Sequence, residues 1–381
     1  MNLISPKQIG DYNKNQMLTI LREGGPASRV ELSRLLDISA TAITRNTTKM
    51  LKNGIIRECG AKRSEIGRKP VLLELCGDFC YVLCADIVGG TIKTAIADLL
   101  GNIINYYEEP VLRSEGAYVV MEQLLALLKN IITESNVPPE KIWITVIGTP
   151  GIFDPVAGKS SLAYFLDGWE EIDIRKNVFD AISIETIIEN DVNLDLKGES
   201  WKGVGRDYEN ILYIKLGQGL ASRFVMENKL IRGVHKMAGE IGHMMPVFSN
   251  AVNYEDMLNN EVVSMQYNKL SGKNSVSTIT ELCHAARSGD EAAITVKRNL
   301  LDLFSLVILN SITVLDPEVI ILGGDACCFE EEEISLLKKN INKHFPLSQT
   351  IIPSMLDKKA CLYGAIKTGL DRVEERITGL W

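Results

Sequence analysis

Between residues 45 and 69 the chain carries eight lysines and arginines against two acidic residues. Cations at that density neutralise a polyanion, and the residue types say which one. Thr41, Thr44, Arg45 and Lys49 lie in a polar stretch of helical period. Lys62, Arg63, Arg68 and Lys69 lie in the run GAKRSEIGRKP, between two apolar pieces. Hydroxyl and guanidinium groups near the start of a helix suit base edges in the DNA major groove. A basic loop suits phosphates or a narrow minor groove. The charge is also confined. Residues 1–78 hold 13 basic and 8 acidic residues, and residues 79–381 hold 28 and 41. Only the head is expected to meet a polyanion.

The elements that must position these groups are legible. A helix is predicted over 13–23, with Met17, Ile20 and Leu21 on one face, stopped by Gly24-Gly25-Pro26. Ser28 followed by Glu31 is a capping box for a second helix, whose apolar positions are Val30, Leu32, Leu35 and Leu36. After a turn at 37–39, a third helix is predicted from about Ala40 to Asn53, with Ile43, Met50 and Leu51 inward. The β-type runs IIREC (55–59) and VLLEL (71–75) follow. Helix, helix-turn-helix and basic hairpin, in that order, make a winged helix with the third helix as the groove reader.

From Tyr81 the pattern becomes α/β. A buried-strand run at 81–87 and strands at 94–99 and 102–111 precede an amphipathic helix at about 116–134, then a strand ending in a Gly/Pro loop (143–155) and another at 184–191 leading into a helix. The scheme restarts with ILYIKL (211–216), a hairpin, helices over about 255–314, VIILGG (319–324), TIIPSM and a last helix from Gly364. Two α/β lobes in tandem leave a cleft between them, the default place for a ligand. The 381 residues, 46% apolar, fit two or three domains. The expected division is 1–78 for the winged helix, 79–198 for the first lobe and 199–381 for the second, with the C-terminal helix able to pack back on the first. No apolar run reaches the roughly 18 residues of a spanning helix. The N-terminal segment has no signal-type apolar region, so a cytoplasmic, reducing setting is expected. None of the eight cysteines forms a CxxC pair, and Cys76, Cys80 and Cys84 read as packing residues.

The body resembles the ROK family (repressor, open reading frame, kinase), in its branch of winged-helix, sugar-responsive repressors. The resemblance rests on ADIVGGTIKTAIADLLGNII, GTPGIFDP, IENDVNLDLKGE, NKLIRGVHKMAGEIGH and DPEVIILGGD, with the head in front. It implies an actin-like, sugar-kinase-type fold of two lobes and a homodimer or dimer of dimers. Asp191 matches the family's catalytic base and Asn190 its sugar-binding neighbour. Glu240 and His243 match residues that bind sugar hydroxyls, and Glu255 is the nearest candidate for a further sugar-binding glutamate.

Three family features are altered. The first phosphate loop, Asp-x-Gly-Gly-Thr-Lys in the kinases, has Val88 before Gly89-Gly90. The second, Gly-Thr-Gly-x-Gly-Gly-Gly, reads Gly217-Gln218-Gly219-Leu220-Ala221-Ser222-Arg223. Side chains in place of glycine obstruct backbone approach to phosphate. The cysteine loop that holds the family's zinc has no cysteine between 244 and 260, and His243 alone cannot supply zinc's four or so ligands. The expectation is therefore no metal, no cofactor and no kinase activity. The partners expected are a double-stranded DNA operator and a sugar or sugar phosphate bound between the lobes, with no membrane. Two alternatives stand beside it: an active ATP-dependent sugar kinase with an appended DNA-binding domain, and a dimeric regulator without a ligand. An activator rather than a repressor also fits these residues.

Overall fold

The computed structural model describes residues 6–61, 70–88, 90–154, 157–161, 166–246, 253–344, 348–356 and 358–380. Lys62, Arg63, Arg68 and Lys69 of the expected wing lie outside the described residues.

The head opens with α1 (Pro6–Glu23), which starts earlier than the apolar period suggested. Proline at the first helical position loses no hydrogen bond, because that N–H has no partner within the helix. Met17, Leu18 and Leu21 of α1 are buried. A two-residue strand β1 (Ala27–Ser28) leads into α2 (Arg29–Leu36), and α3 spans Ala40–Lys52. The capping box forms: the Glu31 N–H donates to Ser28 Oγ at 3.2 Å, and the Ser28 N–H donates to Glu31 Oε2 at 2.9 Å. The apolar face expected for α2 is only partly correct. Leu32 is buried, but Val30 and Leu35 are 74% and 60% exposed. So short a helix presents little more than one turn to α1 and α3. Strands β2 (Ile56–Ala61) and β3 (Val71–Leu75) complete an antiparallel sheet of order β1-β3-β2. Strand β1 carried too few residues to show a period.

The next sheet is built from β4 (Tyr81–Val88), β5 (Thr91–Asp98), β6 (Ile103–Pro110), β7 (Ile142–Thr149) and, past a small hairpin β8 (Ile152–Asp154) and β9 (Lys159–Ser161), β10 (Thr186–Asn190). Its order is β10-β7-β4-β5-β6. Helices α4 (Ala117–Glu134) and α5 (Ile174–Ile182) cover one face. Helix α6 (Asp191–Trp201) continues directly from β10.

The second large sheet contains β11 (Ile211–Leu216), β12 (Leu220–Met226), β13 (Lys229–Leu230), β14 (Val319–Gly324) and β15 (Thr350–Pro353), in the order β13-β12-β11-β14-β15. One face packs against α7 (Glu255–Leu258), α8 (Asn260–Ser271), α9 (Ile279–Arg287), α10 (Glu291–Leu315) and α11 (Glu331–Asn342). Against the other face lie Val192 and Leu196 of α6, so α6 sits between the two sheets. The last helix, α12 (Ala360–Gly379), returns to the first sheet and crosses α6 closely. Glycines at the crossing make this possible. A Cβ on Gly198 would stand 2.1 Å from the Ala360 carbonyl oxygen, and one on Gly364 would stand 1.9 Å from that of Leu194. Helix α12 begins four residues before the Gly364 start read from the sequence.

The head is not suspended on a linker. One continuous core runs from Met17, Leu18 and Leu73 through Cys80, Val82 and Cys84 to Leu370, Val373 and Ile377 of α12. Polar contacts reinforce it. Arg22 of α1 forms a buried ion pair with Glu374, and its Nε donates to the Leu99 carbonyl at 3.0 Å. Lys14 Nζ donates to the Thr378 carbonyl at 3.0 Å, and the Trp201 indole N–H donates to Glu23 Oε1 at 2.8 Å. Burial pushes the Glu374 carboxyl up despite Arg22 beside it. Removing one partner of such a pair leaves the other charge buried, at a cost of about 3–5 kcal/mol. Arg22→Ala is expected to lower unfolding stability by about 3 kcal/mol in urea titrations followed by circular dichroism. A change within experimental error would show that head and body do not stabilise one another.

Candidate functional site

A cleft of about 850 Å³ opens between the two large sheets. It lies at the carboxyl ends of their parallel strands, where α/β folds place ligands. Asn190 ends β10 and Leu216 ends β11, and both line it. Asn190, Asp191, Glu240, His243 and Glu255, chosen from sequence, all meet in this one cleft. What the sequence did not reveal is how many of their polar atoms are already engaged.

Asn190 caps α6. Its side chain accepts from the Asn193 N–H at 3.0 Å and donates to the Gly151 carbonyl at 2.8 Å. Asp191 is the first residue of α6, and Asp195 follows one turn later on the same face. Lys215 of β11 donates to Asp191 Oδ2 at 2.8 Å and to Asp195 Oδ2 at 2.7 Å. Burial works against the lysine's charge, but the two aspartates outweigh it and raise its pKa well above the ordinary value. Burial also raises Asp195, against the pull of Lys215. On β4, burial pushes Asp86 up to about 7, with Lys93 only 4.0 Å from its carboxylate, and its Oδ1 has no hydrogen-bond partner among the described residues.

Glu240 stands before a single helical turn, Ile241–His243. Its Oε1 accepts from Arg223 Nη2 at 2.6 Å, and Arg223 Nε donates to Asn193 Oδ1 at 3.0 Å. Arg223, only 2% exposed, therefore does more than stand in a glycine loop: it supplies the counter-ion of Glu240. Arg232 likewise holds Glu189 through two hydrogen bonds, at 3.0 and 2.7 Å. Lys215 carried a sequence signal, since a lysine within a buried apolar strand needs a partner. The pairing of Arg223 carried none, because its partners lie on other elements.

Carboxylates also face the backbone of the second glycine loop. A Cβ on Gly217 would stand 2.9 Å from Asp325 Oδ2, and one on Gly219 would stand 2.4 Å from Glu255 Oε1. Asp325 is fixed there by Asn260 Nδ2 at 2.7 Å and Thr280 Oγ1 at 2.8 Å. Burial raises Glu255, with His243 opposing. These two acids stand against the backbone of that loop. Among the described residues no cluster of three or more His, Cys, Asp or Glu has the arrangement of a metal site.

A second surface lies on the head. Thr41, Thr44, Arg45 and Lys49 are all exposed along α3, while Ile43 and Met50 of the same helix are buried. Arg57, counted among the basic residues of this region, is paired with Glu74 at 2.7 Å across the small sheet. Among the described residues no helix is long and apolar enough to cross a membrane.

The "ROK family" model matches residues 82–370, and a "winged helix-turn-helix DNA-binding" model matches residues 11–57. The xylose repressor of Caldicellulosiruptor bescii is 24% identical over 376 residues, covering 93% of this chain and 94% of the relative. A solved ROK family transcriptional regulator, a homologue of the E. coli MLC protein, superposes with a TM-score of 0.77 at 19% identity, covering 98% of this chain and 99% of its own. A ROK family glucokinase from Streptomyces griseus, solved with glucose and AMPPNP, gives a TM-score of 0.66 at 20% identity. It covers 76% of this chain and 98% of its own.

The raised carboxyl of Asp86 has a consequence for stability. Between its ordinary pKa of 3.8 and about 7 the folded protein holds a proton that the unfolded chain releases. Folding is therefore favoured at the acidic side of that window and loses this contribution as pH rises through 7. The melting temperature is expected to fall between about pH 4 and pH 7, and to fall less in Asp86→Asn. An unchanged slope in the variant would assign the proton to another buried carboxyl.

Proposed function

We propose, from the premise that this chain belongs to the ROK family, that it is a sugar-responsive, DNA-binding transcriptional repressor rather than a sugar kinase. The observation that carries the reading is Lys215 on Asp191 and Asp195, in a cleft whose helices run on into the core of a winged helix-turn-helix head. A sugar kinase needs a carboxylate ready to take the proton of the attacked hydroxyl, and a loop that neutralises phosphate. Here the Asp191 oxygen holds an ammonium, and the loop backbone is faced by Asp325 and Glu255. Those acids also favour an uncharged sugar over a phosphorylated one. His243, Glu240 and Glu255 offer the mixed donors and acceptors that sugar hydroxyls require.

The route from cleft to DNA follows two helices. Helix α6 starts in the cleft at Asp191 and ends at Trp201, hydrogen-bonded to Glu23 at the end of α1. Eleven residues at about 1.5 Å each carry a displacement some 16 Å. Helix α12 starts at Ala360 on the cleft wall and holds α1 through Glu374 and Thr378. A sugar that changes lobe closure shifts these helices and, through α1, the position of α3. In a homodimer this alters the spacing of two reading helices, which must match the spacing of two operator half-sites.

The DNA arm of the reading is tested by fluorescence anisotropy on the region upstream of the protein's own operon. Binding should fall steeply with salt, and Arg45→Ala should cost about 1–3 kcal/mol if that side chain reads a base. Absence of a salt-sensitive complex would refute it.

The effector arm is tested by calorimetry on the full chain with a panel of sugars, xylose first because of the relative named above, and with ATP. Heat is expected with a sugar and none with millimolar ATP. Glu240→Gln, which keeps an acceptor for Arg223, should weaken the sugar at least about tenfold and leave DNA affinity intact. Sugar affinity equal to that of the unaltered protein would remove Glu240 from the site, and Asp191-dependent sugar phosphorylation would restore the kinase reading.

A further inference from the structure

The segment 231–240 leaves the second large sheet after β13 and leads to Glu240. Its two ends are fixed on β12. The Ile231 N–H donates to the Phe224 carbonyl at 3.0 Å, and the Ser222 N–H donates to the Gly239 carbonyl at 2.8 Å. Between them the chain folds on itself, with the Ala238 N–H donating to the Arg232 carbonyl at 3.2 Å. Gly233, Lys236 and Gly239 have positive φ of 70°, 60° and 95°. For Lys236, which carries a side chain, that conformation is uncommon. Its Nζ crosses to the other lobe and donates to the Phe153 carbonyl of β8 at 3.1 Å. Arg232 crosses too, with both Nη atoms on the Glu189 carboxylate at the end of β10. A strap rooted in the second large sheet is thus tied to the first lobe at two points.

The Arg232 tie continues into α6. Glu189 Oε1 accepts from the Asn190 N–H at 2.9 Å and from Asn193 Nδ2 at 2.8 Å, besides Arg232 Nη1 at 3.0 Å. Asn193, buried in the first turn of α6, accepts at Oδ1 from Arg223 Nε at 3.0 Å. Arg223 in turn holds Glu240 at 2.6 Å. One carboxamide therefore joins both ends of the strap, donating to the partner of Arg232 and accepting from the partner of Glu240. That takes a donor and an acceptor on one side chain, which an aspartate or leucine of similar size does not offer. Arg232, Glu189 and Asn193 are not among the described residues that line the cleft.

We infer that Arg232 and Asn193 are positioning residues that couple a sugar on Glu240 to α6, an inference that rests on the sugar-responsive reading above. A sugar hydroxyl bound by Glu240 moves the strap that carries this glutamate. A strap free along its length would absorb the movement within its own loop. With Arg232 on Glu189 and Arg223 on Asn193, the movement reaches α6 at two points. Glu189 stands just before the helix and Asn193 just inside it, so the packed helix shifts as a body. The two bonds between the Arg232 guanidinium and the Glu189 carboxylate fix orientation as well as distance, which a single bond does not.

The test uses the full chain and Arg232→Ala, a variant expected to fold because that side chain is 44% exposed. Hydrogen exchange without sugar should quicken at least about tenfold in the strap, whose opening then needs one tie fewer. Operator affinity is measured by anisotropy with and without saturating xylose, or the member of the calorimetric panel that gives heat in its place. Arg232→Ala should lose at least about fivefold of the sugar's effect on DNA affinity, while calorimetry still shows the sugar bound. Glu189→Gln should lose as much, and the double variant no more than either. Arg232→Lys, which keeps the charge but not the fork, should fall between. Asn193→Asp should lose the effect as well. A full sugar effect in Arg232→Ala, unaltered strap exchange, or losses that add in the double variant would overturn the coupling. Loss of sugar binding itself would make Arg232 part of the sugar site instead. An unaltered protein whose DNA affinity no sugar changes would refute the sugar-responsive reading, and the coupling with it.

Discussion

The close crossing of α6 and α12 is the constraint on which the remaining architecture depends. Gly198 and Gly364 let two backbones approach to distances that any Cβ would forbid. With that contact made, α6 fits between the sheets and packs on both, and α12 lies along the first sheet far enough to receive α1. The cleft and the head are thereby attached to the same pair of helices. Packed helices transmit displacement because well-filled interiors compress little.

Electrostatics gives the cleft its character. In a kinase-type cleft the carboxylates serve a reacting hydroxyl and the glycine loop serves phosphate. Here each of those groups faces a counter-charge or a like charge from the chain itself. Lys215 bridges Asp191 and Asp195, and Arg223 holds Glu240. Asp325 and Glu255 turn carboxylates toward the loop. Asp86 has Lys93 only at 4.0 Å, and burial pushes its carboxyl up to about 7. In the reading proposed above, this arrangement serves sugar binding rather than phosphoryl transfer.

Much of the fold was legible because it is written in local periods. The runs 211–216 and 319–324 match β11 and β14 residue for residue, and the capping box at Ser28 and Glu31 marks the start of α2. Cys80 and Cys84 are buried packing residues, in keeping with their place beside and within an apolar strand. The errors have local causes too. Pro6 begins α1 where no apolar period announces a helix, and β1 is too short to alternate. Val30 and Leu35 obey helical spacing yet stand exposed, because burial depends on what lies opposite.

The sequence by itself determined the element order, the basic head on an acidic body, and the residue set Asn190, Asp191, Glu240, His243 and Glu255. Each of these is carried by neighbours in the chain or by a motif of fixed spacing. The tertiary structure alone decided what those residues do with their charges, and that the head shares a core with the body. Arg22 and Glu374 are 352 residues apart, and Lys215 and Asp191 are 24 apart on different elements. No periodicity encodes a pairing at such separations, since it exists only once two surfaces have been brought together by packing.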